Sequence, residues 1–155
     1  MTATRLFRIF LFAFLLLRVA PASSQRPVEQ SIQRLAQVGT FAFGGVGIAG
    51  VTSQGEKDFR VIMAQPPDRA LALFEELYKS GNLQAKCYAL AGIRTLKAER
   101  FKELYAAAVQ PWSGHVTTMQ GCIMSSEHFR DIVRQIDKGN YDSWIKRNLP
   151  HATRS

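Results

Sequence analysis

Over most of this chain the apolar positions recur every three or four residues, the spacing of one face of a helix. Val28, Ile32, Leu35 and Val38 share such a face, with Glu29, Gln33 and Arg34 opposite, and predict a first amphipathic helix. Phe59, Ile62 and Met63 mark a second. Ser53 opens it with the spacing of a capping box: its hydroxyl would accept the Glu56 N–H while the Glu56 carboxylate returns to the Ser53 N–H. Pro66-Pro67 ends that helix and starts a third, whose stripe is Leu71, Phe74 and Leu77. Gly81 is placed as its C-terminal left-handed residue. Asn82 caps a fourth helix with Leu83, Cys87, Leu90 and Ile93 inward, and Phe101, Leu104, Tyr105 and Ala108 define a fifth. Ser125 or Ser126 is expected to cap a helix through Phe129, Ile132, Val133 and Ile136, which Gly139 terminates. Asn140 to Asn148 adds a last turn or two, with Tyr141, Trp144 and Ile145 packing back.

Two stretches break the period. Gly39 to Val51 (GTFAFGGVGIAGV) and Gln110 to Met124 are interrupted by glycine or proline and carry β-branched or aromatic residues suited to extended paths. They could pair as a short two-stranded sheet. The fold class is therefore mainly α: an irregular helical domain of five to six short helices with two glycine-containing extended segments.

Within the helical part, PDRALALFEELYKSGN reads as a helix with its turn and QAKCYALAGIRTL as an alanine-rich second helix. Ala85, Ala89, Ala91 and Gly92 would let neighbouring helices approach closely. Residues 67–109 thus resemble HEAT and armadillo-like helical repeats, with ERFKELYAAAV beginning a further unit. The resemblance covers about a third of the chain. It implies a binding scaffold rather than a catalyst.

The N-terminus changes the picture. Arg5 and Arg8 precede the apolar run Ile9 to Leu17, and Ala20-Pro21-Ala22 supplies a small-x-small cleavage pattern. The run rises only about 14 Å as a helix, too short to span a bilayer. Residues 1–22 read as a signal peptide cleaved between positions 22 and 24, leaving 23–155 as one exported domain, periplasmic or extracellular, with no stable membrane span. The signal carries three arginines and no acids, so cleavage lowers the formal charge from +8 to +5. The remaining basic residues are interleaved with acids, which argues against nucleic acid as a partner. They are compatible with an anionic envelope component or another protein.

Candidate chemistry is sparse. Gly45 to Gly50 matches G-x-G-x-x-G, but the next helix-start signal lies beyond the last glycine and no second strand follows, so no dinucleotide cofactor is assigned. Cys87 and Cys122 are the only cysteines, and in an oxidising compartment they predict a disulfide; the alternative is two buried thiols. Cys122 with His115 or His128 is the runner-up, a nucleophile in an exported enzyme. The spacing of these three residues fits no common zinc site, and no metal is assigned. No catalytic constellation is legible, and the acids fall on solvent faces of helices. Trp112, His115, Tyr141 and Trp144 are the residue types enriched at recognition surfaces, or else partly buried core. The leading reading is a non-catalytic, protein-binding or envelope-associated module. Mass spectrometry of the exported product is expected to find a chain beginning between Ser23 and Gln25; an intact Met1 terminus would refute cleavage.

Overall fold

The helical periods of the sequence become seven helices among the residues described in the computed structural model, 26–108 and 113–147. The signal segment and Trp112 lie outside these residues. In chain order the elements are α1 (Arg26–Ala36), β1 (Gly45–Val46), β2 (Val51–Thr52), α2 (Gln54–Met63), α3 (Pro67–Ser80) and α4 (Leu83–Leu96). They are followed by α5 (Ala98–Ala108), β3 (His115–Gln120), β4 (Ile123–His128), α6 (Phe129–Asp137) and α7 (Asp142–Arg147). The protein is mainly α, with two antiparallel two-stranded sheets, β1–β2 and β3–β4. No helix among the described residues is long and apolar enough to cross a membrane.

Helix α4 is the centre of the core. Cys87 to Ile93 is an unbroken buried run, so this helix is covered on every side, by α3, α5, α6 and β3. Its small residues permit the close approach: a Cβ added at Gly92 would stand 2.5 Å from the Phe74 ring of α3. Asn82 caps α4 as expected, accepting the Ala85 N–H at 2.9 Å, and its amide also donates to the Val38 carbonyl at 2.8 Å. Gly81, however, is extended rather than left-handed. It lacks a side chain for a steric reason: a Cβ there would meet the Ala85 Cβ at 2.6 Å.

The capping box forms only by half. Ser53 accepts the Glu56 N–H at 3.1 Å, but the buried Glu56 carboxylate turns elsewhere, accepting the Gly44 N–H at 2.8 Å and Arg60 at 2.5 Å. The orphan donor it satisfies belongs to the glycine segment instead of its own helix. Asp58, also buried, is held by Arg34 of α1, which ties the first helix to the second. Burial works to raise the Asp58 carboxyl, yet its bonds to Arg34, Gln54 and Ser31 prevail and hold it below the usual carboxylate range.

The two extended segments do not form one sheet. Each folds back on itself, and they meet through isolated parallel bridges, Phe41 to Thr118 and Val46 to Gly121. Strand β4 runs through Ser125 and Ser126, so neither serine caps α6; the cap position is His128, which makes no side-chain cap bond. Gly121 has φ 57° and Cys122 does not share the positive value, the arrangement of a two-residue hairpin turn with glycine first. Gly139, by contrast, ends α6 as anticipated. Its N–H reaches the Ile136 carbonyl at 3.0 Å and the Asn140 N–H reaches Gln135 at 3.1 Å, a Schellman closure with Gly139 at φ 78°.

The tie between helices and extended segments is Tyr88 of α4. Its hydroxyl accepts the Ala42 N–H at 2.9 Å and donates to the Ala42 carbonyl at 2.8 Å. Burial pushes this phenol from 10.0 up to about 12, against the lowering effect of its bond to Ala42. Tyr88→Phe leaves the Ala42 N–H without its partner and is expected to cost about 1–3 kcal/mol in denaturant unfolding. Because the folded-state value is raised, Tyr88 contributes stability that is complete below pH 10.0 and is lost as pH rises through about 12. The phenylalanine variant should therefore show a shallower alkaline decline than the parent.

Candidate functional site

The same clamp shapes a groove. With the Ala42 backbone held on Tyr88, the flanking Phe41 and Phe43 pack on the same tyrosine, their ring centroids 4.8 and 5.2 Å from its own. The Phe41 N–H donates to the Thr117 carbonyl at 2.8 Å, and the Met119 N–H donates to the Phe41 carbonyl at 3.3 Å, laying the segment along β3. Those two groups of β3 are spent on Phe41, so residues 117 and 119 are non-hydrogen-bonded positions towards β4. Val116, Thr118 and Gln120 then share the inner face of the hairpin with their partners Glu127, Ser125 and Ile123. Tyr141 and Trp144 close the space from α7 and the turn before it. An ion pair between Arg94 and Asp142 fixes α7 to α4. The Trp144 indole rests on the Gly44 backbone, where an added Cβ would stand 3.0 Å from the ring.

The enclosed volume is about 340 Å³. One wall is aromatic: the Tyr141 ring lies 5.1 Å from Phe41 and 5.7 Å from Phe43, with Trp144 beyond. The other is polar and directional. Tyr141 donates to the Gln135 carbonyl oxygen at 2.9 Å, the Gln135 amide donates to Glu127 Oε2 at 2.9 Å, and Thr118 donates to Glu127 Oε1 at 2.7 Å. Each donor leads to the Glu127 carboxylate. Burial raises the Tyr141 phenol far above its ordinary value, and the Glu127 charge adds to the effect, so Tyr141 remains a donor across the physiological range.

Of the expected recognition residues, the structure brings Tyr141 and Trp144 into this groove and leaves His115 out of it. His115 stacks on His128 across the open end of the hairpin, ring centroids 4.3 Å apart. Cys122 stands at the opposite end, in the turn, beyond a ladder of six residue pairs. At 3.3–3.4 Å per residue that is about 17–20 Å, so neither imidazole reaches the thiol. No group of three or more His, Cys, Asp or Glu side chains suited to a metal occurs among the described residues. The glycine motif folds as the β1–β2 hairpin, with Gly47 and Gly50 at φ 71° and 59°, and α2 starts only after Ser53.

The predicted Cys87–Cys122 disulfide does not form; both residues are free thiols. Helix α4 meets the open end of the hairpin, where Leu83 packs on Gly114, whereas Cys122 is exposed at the far turn. A disulfide needs Cα atoms within roughly 4.4–6.8 Å, which this arrangement prevents. Burial, helped by Glu127, pushes the Cys87 thiol well above 9.0 and keeps it protonated.

Glu127, Gln135 and Thr118 carry the polar wall, and sequence reasoning missed them. The signal was present: Gly121-Cys122 between two runs of β-compatible residues is a hairpin turn, and reading it extends the strand to Glu127. The chain matches no protein-family profile, no curated protein and no solved structure. Thiol titration of monomeric protein is expected to find two free thiols, Cys122 reacting in the folded state and Cys87 only on unfolding; zero free thiols would contradict this placement.

Proposed function

We propose that this protein is an exported, non-catalytic binding module that holds another protein along the groove and the two hairpin tips beside it. The observation that carries the reading is the exposure of large apolar side chains at those tips: Ile48 at 100%, Ile123 at 71%, Met124 at 64% and Val51 at 57%. Grouped exposure of this kind marks interaction surfaces rather than ordinary solvated protein. The tips are held side by side, the Gly47 N–H donating to the Gly121 carbonyl at 2.8 Å. Ile123 belongs to both the apolar tips and the groove, so they make one continuous face.

Other features support the reading. The N-terminal segment has the pattern of an export signal, and the paired helices α3 and α4, joined by two residues, match the helix-pair pattern of a binding scaffold. The carboxylate in the groove favours a protein partner over the anionic envelope component that the basic composition also suggests. Photo-crosslinking side chains placed at positions 48 and 124 in producing cells are expected to give one discrete protein adduct, absent from positions 69 and 138 on other exposed helical turns. Ile48→Ser with Met124→Ser should abolish noncovalent retention of that partner without lowering the melting temperature, because the tips are joined by backbone atoms. Absence of any adduct at both tip positions overturns the proposal.

A further inference from the structure

Six carboxylates among the described residues are at least half-buried. Glu56, Asp58, Glu75, Asp131 and Asp142 each hold an arginine within salt-bridge distance. Glu127 is the sixth, and among the described residues only neutral donors, Thr118 and Gln135, reach it. Among the described residues, then, each of these acids except the one facing the groove has an arginine as counter-charge. Taking a carboxylate partly out of water carries a cost that an opposing cation offsets, and here the place for that cation is the groove itself.

We propose that the groove receives the guanidinium of an arginine side chain presented by the partner protein, with Glu127 as its counter-charge. This rests on the binding-module reading and names the chemistry of the partner. An ionised carboxylate offers about four lone-pair sites, and each Glu127 oxygen has one internal bond, leaving acceptor capacity on both for a two-pronged donor. Phe43 and Tyr141 supply aromatic surface on which a planar, weakly hydrated guanidinium stacks better than an ammonium, and the Trp144 ring beyond them already carries the Arg147 guanidinium 5.7 Å from its centroid. The hydrogen-bond chain from Tyr141 through Gln135 points its donors inward at Glu127, so the wall is built around a negative charge. An arginine carried on a polypeptide is favoured over a free small cation because the groove opens beside Ile123 and the apolar tips, which flanking residues of a peptide would cover.

The test uses the full folded chain with three probes: acetyl-Leu-Arg-Leu-amide, the same peptide with citrulline as the neutral isostere of arginine, and acetyl-arginine-amide. Calorimetric titration, with nuclear magnetic resonance of the Trp144 indole N–H, should show the arginine peptide binding at least about tenfold more tightly than the citrulline peptide, the loss expected when a charge-assisted pair is neutralised. Glu127→Gln, which preserves side-chain size, should remove that preference while the melting temperature holds. Equal affinity for arginine and citrulline overturns the proposal even if the variant fails to fold. Acetyl-arginine-amide binding as tightly as the tripeptide overturns the assignment to a polypeptide. Crosslinking from positions 48 and 124 in the Glu127→Gln background separates the two readings: an adduct retained there leaves the binding module standing and the arginine assignment refuted by the peptide data alone.

Discussion

A single phenol oxygen fixes the glycine-rich segment to the most buried helix. Tyr88 projects from the most buried helix and closes both backbone groups of Ala42 with one hydroxyl, as acceptor to the N–H and donor to the carbonyl. A glycine-rich segment has little side-chain surface to bury and much backbone freedom to lose, so it needs such a fixed point. Nearby features are arranged to allow it. Gly55 of α2 has no side chain because a Cβ would stand 2.7 Å from the Tyr88 oxygen. The Ser53 hydroxyl is a second donor to the Ala42 carbonyl, and Glu56 leaves its own helix to hold the Gly44 N–H. The aromatic wall of the groove is continuous with the core, because Phe41 and Phe43 both pack on the Tyr88 ring.

This arrangement also explains how polar and apolar requirements coexist. The core around α4 is apolar, and its buried acids, Glu56 and Asp58, lie at its edge with arginines that remain partly in water. Their charges therefore do not depend on a fully desolvated pair, the geometry in which ion pairs contribute least. Glu127 follows a different rule. Its hydrogen-bond donors, Thr118 and Gln135, bring no formal charge, and after burial its carboxylate is a further cause that raises the Tyr141 and Cys87 groups.

Much of the helical architecture was legible from the sequence because each helix buries a stripe that repeats at its own period. Phe129, Ile132, Val133 and Ile136 needed no partner to be recognised, and Gly139 and Asn82 announced their ends through local geometry. Strand β4 was hidden for the opposite reason. Most of its residues are exposed on both faces, so Met124 to His128 carries almost no alternation, and its serines resemble helix caps. The groove was beyond reach of pattern alone. Phe41, Thr118, Glu127 and Tyr141 come from four stretches of chain that only the folded structure brings together, through backbone bonds to β3, the Tyr88 clamp and the side-chain chain from Tyr141 through Gln135 to Glu127. The disulfide inference failed on the same kind of fact: pairing cysteines by compartment ignores which end of a hairpin faces the core.

The junction between the hairpin tips has a consequence for how this surface can change over generations. Gly47 and Gly121 meet through an N–H and a carbonyl, and no side chain takes part in that bond. The neighbouring positions 48, 123 and 124 are free of architectural duty. Substitutions there alter what the face presents while the backbone bond beneath it stays the same. The cost of that freedom is concentrated in the glycines, which tolerate little: at Gly47 and Gly121 the left-handed backbone itself, φ 71° and 57°, resists replacement.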